Sequence, residues 1–233
     1  MQAVLSLTGV SKSFTLHLQN GARLPVVSGV DLTVGEGQCV VLAGPSGSGK
    51  SSLLKMVYGN YRCAEGRIVL RDGDRIVDLA GASPRTMIDL RRHSIGYVSQ
   101  FLRVIPRVAT LDLIAEPVIA QGVEKGEALE RARRLLHRLN LPERLWTLPP
   151  ATFSGGEQQR VNIARGFAPD YSLLLLDEPT ASLDAENRAA VVDLIREKKA
   201  QGVALLGIFH DESVRADIAD RQIDIAAFAH GAA

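Results

Sequence analysis

Eight consecutive residues, Gly44-Pro45-Ser46-Gly47-Ser48-Gly49-Lys50-Ser51, constrain this 233-residue chain more than any others. They fit G-x-x-x-x-G-K-[ST], a pattern with physical meaning only between a buried strand and a helix. Both flanks are present. Cys39-Val40-Val41-Leu42-Ala43 is a short, continuous apolar run, as expected of a strand covered on both faces. A helical stretch runs from Lys50 to about Tyr58. Glycines let the backbone turn and aim several N–H groups at phosphate oxygens, and the helix that follows adds free N–H groups and a positive dipole end. Lys50 supplies a point charge for β- and γ-phosphates, and the Ser51 hydroxyl is a candidate Mg²⁺ ligand.

A second run, Leu173-Leu174-Leu175-Leu176-Asp177-Glu178, is an apolar strand that ends in two acids. The C-terminal ends of strands are where open α/β sheets hold ligands. Asp177 is placed to hold a Mg²⁺ shell, and Glu178 to take a proton from an attacking water.

The remaining pattern fills in the layers. Val30–Val34 alternates at period two, and Ile68–Leu70, the Asp72-Gly73 turn and Ile76-Val77 read as a hairpin. From Glu124 to Leu139, Ala128, Leu129, Ala132, Leu135, Leu136 and Leu139 recur at helix spacing, with Arg131, Arg133, Arg134 and Arg138 on a solvated face. A strand at 173–176, a helix from Ala185 to about Gln201, a strand at 203–209 and a short helix close the chain. Strand–helix alternation split by a helical block predicts an α/β fold, a parallel core with an inserted helical lobe. The expectation is one domain over 1–233, with a catalytic lobe at about 1–99 and 168–233 and a helical lobe at about 100–167.

Charge and cysteines exclude several classes. Lys and Arg number 27 against 26 Asp and Glu, which argues against a dedicated nucleic-acid binder. Cys39 and Cys63 are too few for a disulfide scaffold or a four-cysteine zinc site, and Cys39 reads as an inert core thiol. The N-terminus lacks a signal-peptide pattern, and no run approaches the ~18 apolar residues of a membrane span. A cytoplasmic protein is expected, held at a membrane only through a partner. His17, His93, His137 and His230 show no ligand spacing, and Trp146 is expected to pack the helical lobe.

Ser154-Gly155-Gly156-Glu157-Gln158 opens a helix that runs to about Gly166 with a cap and two glycines, a second anion site. It is similar to the signature of ATP-binding-cassette (ABC) ATPases. Gln100 after the strand Ile95–Val98, Ala181-Ser182-Leu183-Asp184 after the acids, and His210 after the last core strand resemble further motifs of that family, in its order. The resemblance covers essentially the whole chain. It implies a P-loop NTPase (RecA-like) core with an antiparallel β subdomain and an inserted α-helical lobe. It also implies Mg²⁺-dependent ATP hydrolysis by two cassettes, a homodimer or a pair with a related cassette, that sandwich ATP head to tail. By the same resemblance the run Gly44 to Ser52, which includes Ser52, binds the phosphates. Gln100 senses the γ-phosphate and Mg²⁺, and His210 holds the γ-phosphate and water. Ser154, Gly155, Gly156 and Glu157 face the nucleotide of the opposite subunit, and Asp184 bridges the subunits. Phe14 stands where an aromatic, usually Tyr, stacks on adenine.

Two branches of the family compete. Ser99 to Arg107, Pro142 to Trp146, Val161 to Phe167 and Ile208 to Glu212 resemble the PhnL family, ABC subunits of bacterial carbon–phosphorus lyase systems. That branch implies soluble phosphonate C–P lyase subunits as partners and a role in synthesis of α-D-ribose 1-methylphosphonate 5-triphosphate. Asn162, Gly166 and Phe167 depart from the Ala and Ala-Leu more usual in exporter ATPases and agree with it. Gln100-Phe101, Val104 to Arg107 and Glu157 to Val161 are also similar to ATPases of lipoprotein-release and macrolide-export transporters. Phe101 to Arg107 is the expected partner contact in either case.

Overall fold

The computed structural model describes residues 2–16, 21–100, 102 and 107–228. The elements are β1 (Ala3–Leu16), β2 (Ala22–Gly35), β3 (Cys39–Ala43), α1 (Lys50–Val57), β4 (Glu65–Asp72), β5 (Arg75–Asp78), α2 (Pro84–His93), β6 (Ile95–Val98), α3 (Thr110–Ala120), α4 (Lys125–Arg138), α5 (Gly155–Phe167), β7 (Leu173–Asp177), α6 (Ala185–Ala200), β8 (Ala204–Ile208), α7 (Glu212–Ile218) and β9 (Arg221–Asp224). Short 3₁₀ turns lie at Glu143–Leu145, Pro150–Thr152 and Ile225–Phe228.

The continuous apolar runs become the centre of a parallel sheet in the order β6-β7-β8-β3-β9. Every residue of β7 and β8 is buried. Side chains alternate across a strand, so each central strand feeds two separate cores. Leu174 and Leu176 pack with the helices α3 to α6, while Leu173 and Leu175 pack with α1, α2 and the second sheet. Each such side chain contributes about 1.5–3 kcal/mol by leaving water. The second sheet is antiparallel, β2-β1-β4-β5, and closes over the α1 face.

Helix ends follow local chemistry. The Ser83 side chain accepts the Thr86 N–H ahead of α2, with Pro84 in the first turn and Arg91, Arg92 and His93 in the last. Glu124 caps α4 by accepting the Gly126 and Glu127 N–H groups. On the exposed side of α4, Arg131 pairs with Glu127 and Asp170, and Arg138 with Glu197. Trp146 is buried in the helical cluster and donates its indole N–H to the Leu141 carbonyl at 2.9 Å. Cys39 is buried, and burial pushes its thiol up to about 12.

The structure extends the sequence expectations in two places. The short alternating run at 30–34 is the end of the long strand β2, paired along β1. A further strand, β9, joins the parallel sheet beside β3. Phe101 to Arg107 lies outside the described residues except for Arg107 and the isolated Leu102, and so do His17 and His230.

Candidate active site

The loop between β3 and α1 is shaped by glycines that nothing else can replace. Gly44 has φ 121°, and a Cβ there would lie 2.9 Å from Asp224 Oδ1. Gly49 has φ 99°, and its Cβ would meet Val27 at 2.6 Å. Both positions demand a residue without a side chain. Helix α1 opens at Gly49 with no side-chain cap and no acid in its first turn, so its N-terminal amides and positive dipole end stay uncompensated. Lys50 is buried and folds back, donating to the Gly44 carbonyl at 2.7 Å and the Pro45 carbonyl at 2.8 Å. Ser48 Oγ is buried without a hydrogen-bond partner.

The strand ends bring acids to this loop. Asp177, 5% exposed, accepts the Ser51 hydroxyl on Oδ1 at 3.0 Å and the Tyr97 hydroxyl on Oδ2 at 2.7 Å. Burial first, then the Asp177 charge, raises the Tyr97 phenol well above its ordinary range, so it remains a donor. Glu178, the next residue, sits at φ 54°, a left-handed backbone that costs a non-glycine residue energy and is retained where surroundings enforce it. Its N–H donates to the Ile208 carbonyl at 3.1 Å. Gln100 Nε2 donates to Glu178 Oε2 at 3.0 Å, and His210 Nε2 lies 2.7 Å from Oε1. The two oxygens of one carboxylate thus each meet a side-chain nitrogen, and Gln100 keeps its side-chain carbonyl for another partner.

These contacts sort the candidate residues. Ser51 is hydrogen-bonded to Asp177, and Gln100 and His210 to the adjacent Glu178, at the end of β7 that meets the Gly44–Ser52 loop. The others stand apart. Ser154 and Glu157 form a capping box at the start of α5, which holds the Glu157 carboxyl below its usual range through the Ser154 hydroxyl and N–H. Asp184 caps α6, and the Asn187 N–H lowers its carboxyl. Phe14 meets Tyr61 edge-on at 5.3 Å, with the Lys12 ammonium 4.8 Å from its ring centre.

Three residues emerge that sequence reading did not place at the site. Tyr97 bonds Asp177. Gln159 on α5 donates to the Pro179 carbonyl at 3.1 Å, just past Glu178, and Asn162 donates to the Ser99 carbonyl at 2.6 Å, just before Gln100. The strand register of β6 against β7 was the signal needed for Tyr97, because it pairs Tyr97 with Leu175, which shares a face with Asp177.

The donor set suits a nucleotide phosphate and a hard cation. A hydroxyl and a carboxylate converge as oxygen ligands, the glycine cradle has no room for side chains at Gly44 and Gly49, and Ser48 Oγ is an orphaned polar atom within it. No helix among the described residues is long and apolar enough to cross a membrane.

Known proteins resemble this chain in sequence and fold. The family model described as ABC transporter matches residues 27–181. The lipoprotein-releasing system ATP-binding protein LolD of Shewanella frigidimarina is 38% identical over 224 residues, covering 95% of this chain and 90% of that protein. LolD of Hyphomonas neptunium is 40% identical over 212 residues, covering 91% and 90%. Among solved structures, the dimeric post-hydrolysis state of the ATP-binding cassette MJ0796 bound to ADP and Pi aligns with a TM-score of 0.85 at 26% identity, covering 95% of each chain. The two-sheet core, the cradle, the paired acids and these matches converge, and the chain belongs to the ATP-binding-cassette (ABC) transporter family as an ATP-binding ATPase subunit.

Proposed function

We propose that this chain is the Mg²⁺-dependent ATPase of a membrane transporter of the lipoprotein-release type, acting as one of a head-to-tail pair of cassettes. One observation carries the hydrolytic reading: the Glu178 carboxylate is gripped by Gln100 on one oxygen and by His210 on the other, next to Asp177 and Ser51. In this reading the phosphates of ATP lie along the amides of Gly44 to Ser52. Lys50 exchanges its two loop carbonyls for phosphate oxygens. Ser51, Asp177 and the Gln100 carbonyl hold the Mg²⁺, which neutralises phosphate charge when bound. Glu178 accepts the proton of a water aligned with the γ-phosphate, while His210 and Gln100 fix where that carboxylate points. Positioning and charge supply most of the catalysis.

The pairing of cassettes has its own support. Gly155 and Gly156 stand at the start of α5 without a positive φ. Among the described residues, a Cβ at Gly155 would touch nothing, and one at Gly156 only the Ser182 carbonyl at 3.4 Å. Glycine in a helix costs about 1 kcal/mol relative to alanine. The described residues give no steric reason for that cost, whereas a nucleotide on a facing cassette would. Ser154, Glu157 and Asp184 belong to the same facing surface in this reading, and Phe14 contacts adenine.

The choice of transporter follows the relatives, which carry the lipoprotein-release name. They reverse the order of the two expectations from sequence, and soluble C–P lyase partners become the second reading. That reading keeps one specific support, the departures at Asn162, Gly166 and Phe167. Affinity capture of the Glu178→Gln variant with Mg²⁺-ATP decides between them. The variant should lose turnover, retain ATP and recover a polytopic membrane protein from detergent extracts. Recovery of soluble phosphonate-pathway subunits without detergent would reverse the assignment, and full turnover would remove Glu178 as the base.

A further inference from the structure

We infer that Tyr97 is a positioning residue for the metal-binding carboxylate of Asp177, orienting it from the side opposite Ser51. The inference rests on the ATPase reading, since that reading makes Asp177 a Mg²⁺ ligand. Its geometric basis is the pair of hydroxyls already described, Ser51 on Oδ1 at 3.0 Å and Tyr97 on Oδ2 at 2.7 Å. Each carboxylate oxygen has two lone pairs, so one bond to each fixes the plane of the group and leaves acceptor positions for an ion.

The fold brings the phenol there by register. Tyr97 on β6 pairs with Leu175 on β7, and Leu175 and Asp177 share a face of the strand. A phenylalanine at this position would reach as far but could not donate. The ring is itself fixed. It stacks on Tyr58 with centroids 4.9 Å apart and planes 24° apart. The Arg91 guanidinium lies 4.5 Å from the Tyr58 ring centre and donates to the Tyr58 carbonyl at 2.9 Å and to Asn60 Oδ1 at 3.1 Å. Groups from β6, from α2 and from the end of α1 therefore hold one hydroxyl against one carboxylate oxygen. Partners of metal ligands of this kind typically contribute about 10–100-fold in metal affinity.

Tyr97→Phe keeps the ring and its stack and deletes only the donor. Nucleotide-loaded protein is titrated with Mn²⁺ and followed by electron paramagnetic resonance, with binding of a fluorescent ATP analogue in EDTA measured alongside. Mn²⁺ affinity should fall about 10–100-fold. Metal-free nucleotide affinity should be unchanged, and kcat should recover at saturating Mg²⁺. Unaltered Mn²⁺ affinity overturns the inference, even with a lowered melting temperature, because the hydroxyl would then serve the fold alone. Equal losses with and without metal also overturn it, since the cradle rather than the carboxylate would be disturbed. Wild-type protein that binds no Mn²⁺ in the presence of ATP would instead sink the ATPase reading, before the variant is considered.

Discussion

Single residues carry two kinds of information here, and only one is visible in a sequence. Gly44, Lys50, Ser51, Asp177 and Glu178 are legible because phosphate and metal chemistry requires those types at fixed spacing on a strand–loop–helix frame. Tyr97, Gln159 and Asn162 are not. Their partners are Asp177, the Pro179 carbonyl and the Ser99 carbonyl, each reached only after the chain has folded. Cys39 illustrates the legible kind, and its burial has a measurable consequence. Its folded thiol titrates at about 12 against 9.0 unperturbed, chiefly from burial. Above pH 9 the unfolded chain therefore releases a proton that the native chain retains, and stability falls as pH rises through that window toward the folded value. The loss from this one group between about pH 8 and about pH 10 is on the order of 1 kcal/mol. Urea titrations of wild type and Cys39→Ala at those two pH values should show wild type losing more by that amount. Parallel pH profiles would mean the thiol is not protected as its burial implies.

At the scale of elements, α5 connects motifs that lie far apart in sequence. Asn162 and Gln159 fasten one side of it to the carbonyls beside Gln100 and Glu178. One turn beyond Asn162, Gly166 lets the helix approach β6 so closely that a Cβ would lie 2.4 Å from Val98 Cγ2. Asn162 and Gly166 are thus packing residues of one helix face. Asn162→Ala removes the bond to Ser99 from a 7%-exposed position and should cost about 1–3 kcal/mol. For a chain of this size that corresponds to a melting temperature lower by roughly 2–12 °C. Amide exchange should quicken at Ser154–Gln158, while ATP affinity stays the same. No change in either melting or exchange would show that the contact does not fasten the helix. The elements themselves were readable where an unbroken apolar run or a helical period stood out, as in β3, β7 and α4. Pairing of β1 with β2 was not, because register is set between strands. β9 was missed because the sequence Arg221-Gln222-Ile223-Asp224 is mostly exposed and polar and lacks the apolar run of its neighbours.

The whole molecule places the openings of α1 and α5 differently, and in the proposed reading that difference argues for a pair. Helix α1 opens within a cradle whose other walls are Lys50, Asp177 and Glu178, all supplied by this chain. Helix α5 opens at an exposed Ser154 and Gly155, where none of the described residues would meet a Cβ added at Gly155. A site lacking its opposite wall is completed by a second cassette in the reading proposed above. Gly155→Asp separates folding from pairing. A Cβ at this position meets none of the described residues, and an acid in the first turn of a helix is favourable by about 0.3–1 kcal/mol. The monomer should therefore melt at least as high as wild type and bind ATP as tightly. The added carboxylate, however, would stand where the phosphates of the facing cassette must come, and like charges at short range repel. Combined with Glu178→Gln, the change should abolish the ATP-dependent dimer in sedimentation. Alone it should abolish turnover, whereas the wild-type rate should rise steeply with protein concentration. A dimer that persists in the Gly155→Asp variant would mean that the opening of α5 does not face the second nucleotide, and the unexplained glycines would need another cause.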